Sequence, residues 1–136
     1  MRKIASLLSL FTLLLTLCAC GGDISNVNII TIPSDSSLYS TEEIKDAIDA
    51  AIDYFKKEFD GCTLTEITYA GDETSADFAE WAQRIDGDEV IVLVSSFNVD
   101  ETGGDGSLNP NSTYTKWMWI MARQEGGKWQ HVDHGY

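Results

Sequence analysis

Positive charge is scarce in this chain. Its 136 residues carry 9 Lys and Arg against 22 Asp and Glu, a formal net charge of -13. Nucleic-acid affinity comes from Lys and Arg displacing phosphate counterions, so a chain this acidic is a poor ligand for DNA or RNA. The same deficit excludes attachment to anionic lipid by charge. Cysteine is scarce too, with three in all, at positions 18, 20 and 62. There is no zinc-type spacing, no Gly-rich phosphate cradle and no Ser nucleophile elbow. The longest apolar run, residues 4–17, falls short of the ~20 residues a helix needs to cross hydrocarbon. Internal repeats and long low-complexity tracts are absent. The length suits one domain. What the chain does have is an apolar content of 43% with four Trp, which excludes disorder and requires a packed core.

Arg2 and Lys3 precede the apolar run, in the pattern of a secretory signal. The run ends Leu17-Cys18-Ala19-Cys20-Gly21-Gly22. This resembles the bacterial lipoprotein box, with an aliphatic residue at minus three, a small one at minus one, then Cys. The resemblance implies that residues 1–19 are removed and that Cys20 becomes the mature N-terminus. Cys20 then carries a thioether-linked diacylglycerol and fatty acyl groups such as palmitate. Loss of Arg2 and Lys3 makes the mature chain two units more acidic. Cys62 is left alone, so an intramolecular disulfide is excluded despite export. No basic cluster surrounds it to favour a thiolate, so it reads as a small buried hydrophobe.

Residues 20–38, rich in Ser, Asn, Asp and Gly, read as a flexible tether, within which 27–32 is strand-like. A helix is expected over 41–60. Ser40 caps it and Glu43 completes a capping box. Ile44, Ile48, Ala51, Ile52, Phe55 and Phe59 form its apolar stripe, and Gly61 stops it. Residues 63–69 read as a strand, with Ile67 on one face and Leu64 on the other. A loop at 71–75 precedes a short helix over 76–85. The unbroken run Val90-Ile91-Val92-Leu93-Val94 reads as a central strand covered on both faces. A polar loop over 100–112 leads to a strand over 113–123. Glu125-Gly126-Gly127 makes a tight turn, and 128–136 returns as the last strand. The order implies one α+β domain over 39–136. Its two helices pack on a bent, mainly four-stranded antiparallel sheet.

Alternation along the 113–123 strand puts Trp117, Trp119, Met121 and Arg123 on one face and Tyr114, Met118 and Ile120 on the other. Both faces are apolar, and the main helix covers only one. This leaves three readings: a two-sided core, a concave ligand pocket, or a protein-docking face anchored by Trp and Arg. The candidate binding residues are Trp117, Trp119, Arg123, Trp129 and His131. On the last strand Trp129, His131 and Asp133 share a side and His134 faces away. His131 and Asp133 are then a candidate acid/base dyad, or two ligands of a site. Asp100, Glu101, Asp105, Asn109 and Asn111 offer oxygens suited to calcium, without EF-hand spacing or a closing Glu. No residue is assigned as catalytic or metal-binding, and no cofactor is assigned.

The stretch from Trp117 to Arg123, then Gly126-Gly127-Lys128-Trp129, Asp133 and Gly135-Tyr136, is similar to the ends of small uncharacterised Firmicute lipoproteins. Residues 55–64 and Ser95-Ser96-Phe97 extend the likeness. The strand ending in Arg, the Gly-Gly-Lys-Trp turn and the short last strand also resemble cystatin-like cones of the nuclear-transport-factor-2 type. This chain is shorter than the full cone at its N-terminus. The resemblance implies a fold and no activity. The expected function is a lipid-anchored, extracytoplasmic, non-enzymatic binding domain on the outer face of the cell membrane. Its partner is a neutral or basic envelope protein or peptide. The alternative is a cone-type enzyme or small-ligand carrier with an aromatic pocket on the sheet.

Overall fold

The computed structural model describes residues 21–30 and 36–136, so the expected signal segment and Cys20 lie outside the described residues. The fold is α+β, with a five-stranded mixed sheet that is not closed. Helix α1 spans Thr41–Glu58. Strands β1 (Asn28–Ile30), β2 (Cys62–Tyr69), β3 (Glu89–Val99), β4 (Thr113–Arg123) and β5 (Gln130–Gly135) lie side by side in chain order. Strands β2 to β5 form the expected antiparallel meander, while β1 adds a short parallel edge to β2.

α1 starts where its local chemistry places it. The Ser40 side chain accepts from the Glu43 N–H, and the Glu43 carboxylate accepts from the Ser40 N–H at 3.1 Å. Its buried stripe is Ile44, Ala47, Ile48, Ala51, Ile52 and Phe55. The helix ends two residues earlier than expected. Phe59 is its C-cap, and Gly61 turns the chain with φ 71°.

Both sheet faces are covered. α1 packs with Leu64, Ile67, Ile91, Leu93, Phe97, Trp117, Trp119, Met121 and Trp129 on one face. Val90, Val92, Ile120 and Ala122 point to the other face and meet Ala82, with Phe78, Trp81 and Ile85 beside it. The Val90–Val94 run is therefore apolar because both of its faces are inside. The second cover is not the single helix expected over 76–85. It is a short helix α2 (Asp72–Asp77) continued by a 3-10 helix (Ala79–Ile85). Asp72 thus lies in a helix and not in the expected loop. Its carboxylate accepts from Ser36 Oγ at 2.6 Å, Ser37 N–H at 2.7 Å and Tyr69 OH at 2.7 Å. Those bonds hold its pKa well below the usual carboxylate range.

Three bulges reset the alternation of side chains, and each corrects an expectation. Thr65 is extra on β2, so Leu64 and Ile67 face the same core. The second bulge lies at Thr115 and Lys116 on β4, where Lys116 has φ 57°. It turns Tyr114 to the Trp117 side, stacked on Phe97 at 5.2 Å. The third falls at Val132 on β5, between the pairs Ile120–Asp133 and Met121–His131. A single inserted residue moves every later side chain to the opposite face.

Candidate functional site

The third bulge decides the chemistry at the C-terminus. His134 pairs with Trp119 and His131 with Met121, both of which face α1. The two rings therefore share a face, with His131 Nε2 and His134 Nδ1 2.9 Å apart. Asp133 is turned to the other face, where it meets Arg84 at 3.4 Å. The expected His131–Asp133 dyad is thus not assembled. His131 is instead stacked on Tyr54 at a centroid separation of 3.8 Å.

Burial, then the charge His134 would carry, push the His131 pKa down to about 4, with Asp133 acting the other way. Burial likewise lowers that of His134. Both rings are neutral at pH 7, joined by one hydrogen bond. In the unfolded chain both titrate near 6.5. The unfolded state therefore binds more protons than the folded one as pH falls from about 6.5 to about 4. Stability is full above that window and lost through it. Unfolding free energies from urea titrations at pH 7.5 and 4.5 should differ by about 1–3 kcal/mol after allowance for partial exposure. A His131→Phe variant should flatten that slope. The carboxylates whose pKa is lowered, Glu43 and Asp72 among them, lose their contributions only further into acid.

The aromatic residues expected to line a pocket on the sheet are mostly core. Trp119 is fully buried, and its Nε1–H donates to Ser95 Oγ at 2.8 Å. Trp129 is buried, with its Nε1–H donating to the Glu43 carbonyl at 3.1 Å. Arg123 is buried over the Trp129 ring at 4.2 Å. Its guanidinium bonds Glu89 at 2.6 Å and also Glu43. α1 occupies the space in which that pocket would lie.

A different cleft forms at the C-terminal end of α1, with a volume of about 180 Å³. Tyr54 and Glu58 come from the last turns of the helix, and Phe59 and Asp60 from its cap. Asp105, Ser107 and Leu108 come from the 100–112 loop, Trp117 from β4 and His134 from β5. Trp117 stacks on His134 at 5.6 Å and stands perpendicular to Phe59 at 6.3 Å. The floor is therefore aromatic. The rim is acidic, because Glu58, Asp60 and Asp105 are all exposed. The Ser107 hydroxyl and N–H donate to Asp105 and hold its pKa below the ordinary carboxylate value. Neutral His134 adds no opposing charge. Trp117 Nε1–H is one of two buried side-chain polar atoms with no hydrogen-bond partner among the described residues.

Of the residues expected to bind, only Trp117 reaches this cleft, and His131 stands behind it against Tyr54 and His134. Tyr54, Glu58, Phe59, Leu108 and His134 line the cleft and are not among the residues expected to bind. The one available signal is Tyr54, an aromatic lying off the apolar stripe of an otherwise polar helix face. The loop acids fold inward onto their own turns. Asp100 accepts from Thr102, as Asp105 does from Ser107. Among the described residues, no group of three or more His, Cys, Asp and Glu could hold a metal ion. Cys62 is buried, and burial together with the charges of Asp100, Asp105 and Asp60 pushes its thiol up to about 11. It is inert as a nucleophile at neutral pH.

Comparison with protein-family models, with curated proteins and with solved structures finds no match for this chain.

Proposed function

We propose that this chain is a lipid-anchored, extracytoplasmic binding domain whose cleft at the end of α1 holds a cationic group of a neutral or basic envelope protein or peptide. The observation that carries the reading is the pairing of an aromatic floor with a carboxylate rim. Aromatic faces attract cations through their quadrupole, and a rim of like charge steers a basic ligand inward. The lipid anchor rests on the Leu17–Cys20 pattern, and Cys20→Ala should abolish membrane association in fractionated cells. The cone likeness is supported by one long helix lying on a bulged antiparallel meander. The enzyme or carrier reading is weakened because α1 fills the sheet face it requires and Asp133 is turned away from His131.

Calorimetry with a lysine-rich peptide and its acetylated counterpart tests the cleft. The unmodified peptide should bind, and more weakly as salt rises. The exposed pair Glu58→Gln and Asp60→Asn should together weaken it roughly fivefold to tenfold. Equal binding of the acetylated peptide, or unchanged affinity in the double variant, would contradict the reading.

A further inference from the structure

The residues immediately after Cys20 are not free. Gly22 N–H donates to the carbonyls of Phe55 at 3.3 Å and Lys56 at 3.1 Å, in the last turn of α1. The Phe55 carbonyl also accepts from the Phe59 N–H at 3.0 Å, while the Lys56 carbonyl lies in the last turn, where intrahelical partners run out. Asp23 N–H then donates to the Cys62 carbonyl at 2.8 Å, and Leu64 N–H donates back to the Asp23 carbonyl at 2.9 Å. Asp23 thereby makes a parallel bridge to Thr63 at the start of β2.

The fit admits only glycine. A Cβ at Gly21 would stand 1.9 Å from the Lys56 carbonyl oxygen, and Gly21 has φ 145°. A Cβ at Gly22 would stand 2.3 Å from the Phe55 ring. Space and backbone conformation thus both account for the Gly-Gly pair directly after Cys20.

From this we infer that the domain is seated directly on the membrane surface, with the C-terminal end of α1 towards the lipid, and does not hang from a flexible tether. The inference rests on the lipid-anchor reading of Cys20. Adjacent Cα atoms are only ~3.8 Å apart, so the acylated residue is held within one residue of the Lys56 carbonyl. A flexible segment as long as 20–38 would let the domain stand off by an r.m.s. distance of about 24 Å. The docked glycines remove that freedom. Lys56 and Lys57 are exposed at this end beside exposed Glu58 and Asp60. This mixed charge neither drives nor prevents the seating, which the covalent anchor imposes. Tyr54 and Glu58 lie two residues either side of Lys56, about 3 Å along the helix axis. The cleft therefore opens level with the anchor, and its ligand is met at the height of the lipid headgroups.

Full-length acylated protein in phosphatidylcholine vesicles doped with a headgroup spin-labelled lipid gives the test. A fluorophore is placed at Asp60→Cys, near the anchored end. A second is placed in a separate sample at Gln124→Cys, beside Arg123 and hence near Glu43 at the other end of α1. Seating predicts several-fold stronger quenching at 60 than at 124. A Gly-Ser segment inserted between Cys20 and Gly21 should erase the contrast without touching the fold, and Gly22→Val should reduce it. Intact lipid mass with equal quenching at the two positions overturns the seating alone. A chain without the diacylglycerol mass overturns the anchor and the seating together.

Discussion

Arg123→Met should destabilise the domain by about 2–4 kcal/mol, measured as a fall in the urea midpoint. The guanidinium ends β4, bonds Glu89 at the start of β3 and Glu43 in the first turn of α1, and covers the Trp129 ring. Burial opposes its charge, but the bonds to Glu89 and Glu43 more than offset this and leave its pKa raised. Glu43 also closes the α1 capping box, so one side chain links the helix start to two strands. Removing the cation leaves two carboxylates beside each other. Each is about a third exposed, so water recovers part of the loss, which keeps the cost below that of a fully buried pair. Arg123→Lys restores the charge without the planar fork and should recover only part of the stability. Arg84→Met is the control. Its partner Asp133 is 3.4 Å away and both side chains are about half exposed, so the change should stay within about 0.5 kcal/mol. Similar losses for Arg123 and Arg84 would contradict this assignment.

Trp119→Ala should cost about 3–5 kcal/mol, a large share of the ~5–15 kcal/mol that holds an ordinary domain folded. Its ring is fully buried, with neighbouring centroids at 5.1 Å for Phe59, 6.0 Å for Tyr54 and 6.3 Å for Phe55. The cavity left would lie under the last turns of α1, where the sheet cannot easily close on it. Trp119→Phe should cost about 1–2 kcal/mol, because Ser95 Oγ loses its 2.8 Å donor inside the core. Had Trp119 lined an open pocket, truncation would cost under about 1 kcal/mol. Circular dichroism across a urea titration separates the two outcomes.

Features of this fold are legible in the chain to the extent that their causes are local. The start of α1 is written in four consecutive positions, from Ser40 to Glu43, and its stripe in helical spacing. The central strand is written in the run Val90–Val94. The bulges are not legible. Thr65, Lys116 and Val132 carry no signature of an inserted residue, yet each reverses the facing of the residues beyond it. Strand alternation therefore puts His134 and Tyr114 on the wrong sides. Helix α2 escapes sequence reasoning because Asp72 is fixed by Ser36 and Ser37, far back in the chain. The expected sheet pocket is absent among the described residues for a related reason. Trp117, Trp119, Arg123 and Trp129 stand out by type, but type does not say which face α1 covers. The cleft is assembled from the helix end, the 100–112 loop, β4 and β5, and that grouping exists only once the fold has formed.

Acidity also has a structural side. The first-turn acids of α1 suit its positive end, Asp72 ties down the segment before it, and Asp100 and Asp105 cap their own turns. On the rim of the cleft, Glu58 and Asp60 are exposed carboxylates outside this bonding, and Asp105 serves both its turn and the rim.

The most direct measurement is a nitrogen-15 NMR titration of the domain with the lysine-rich peptide at low salt. The proposed function predicts shifts at Tyr54, Glu58, Phe59, residues 105–108 and His134, with the Trp117 indole N–H moving as a cation settles against its ring. Shifts confined to the outer face of α1 around Asp46, Asp49 and Asp53, or none at the Trp117 indole, would contradict it.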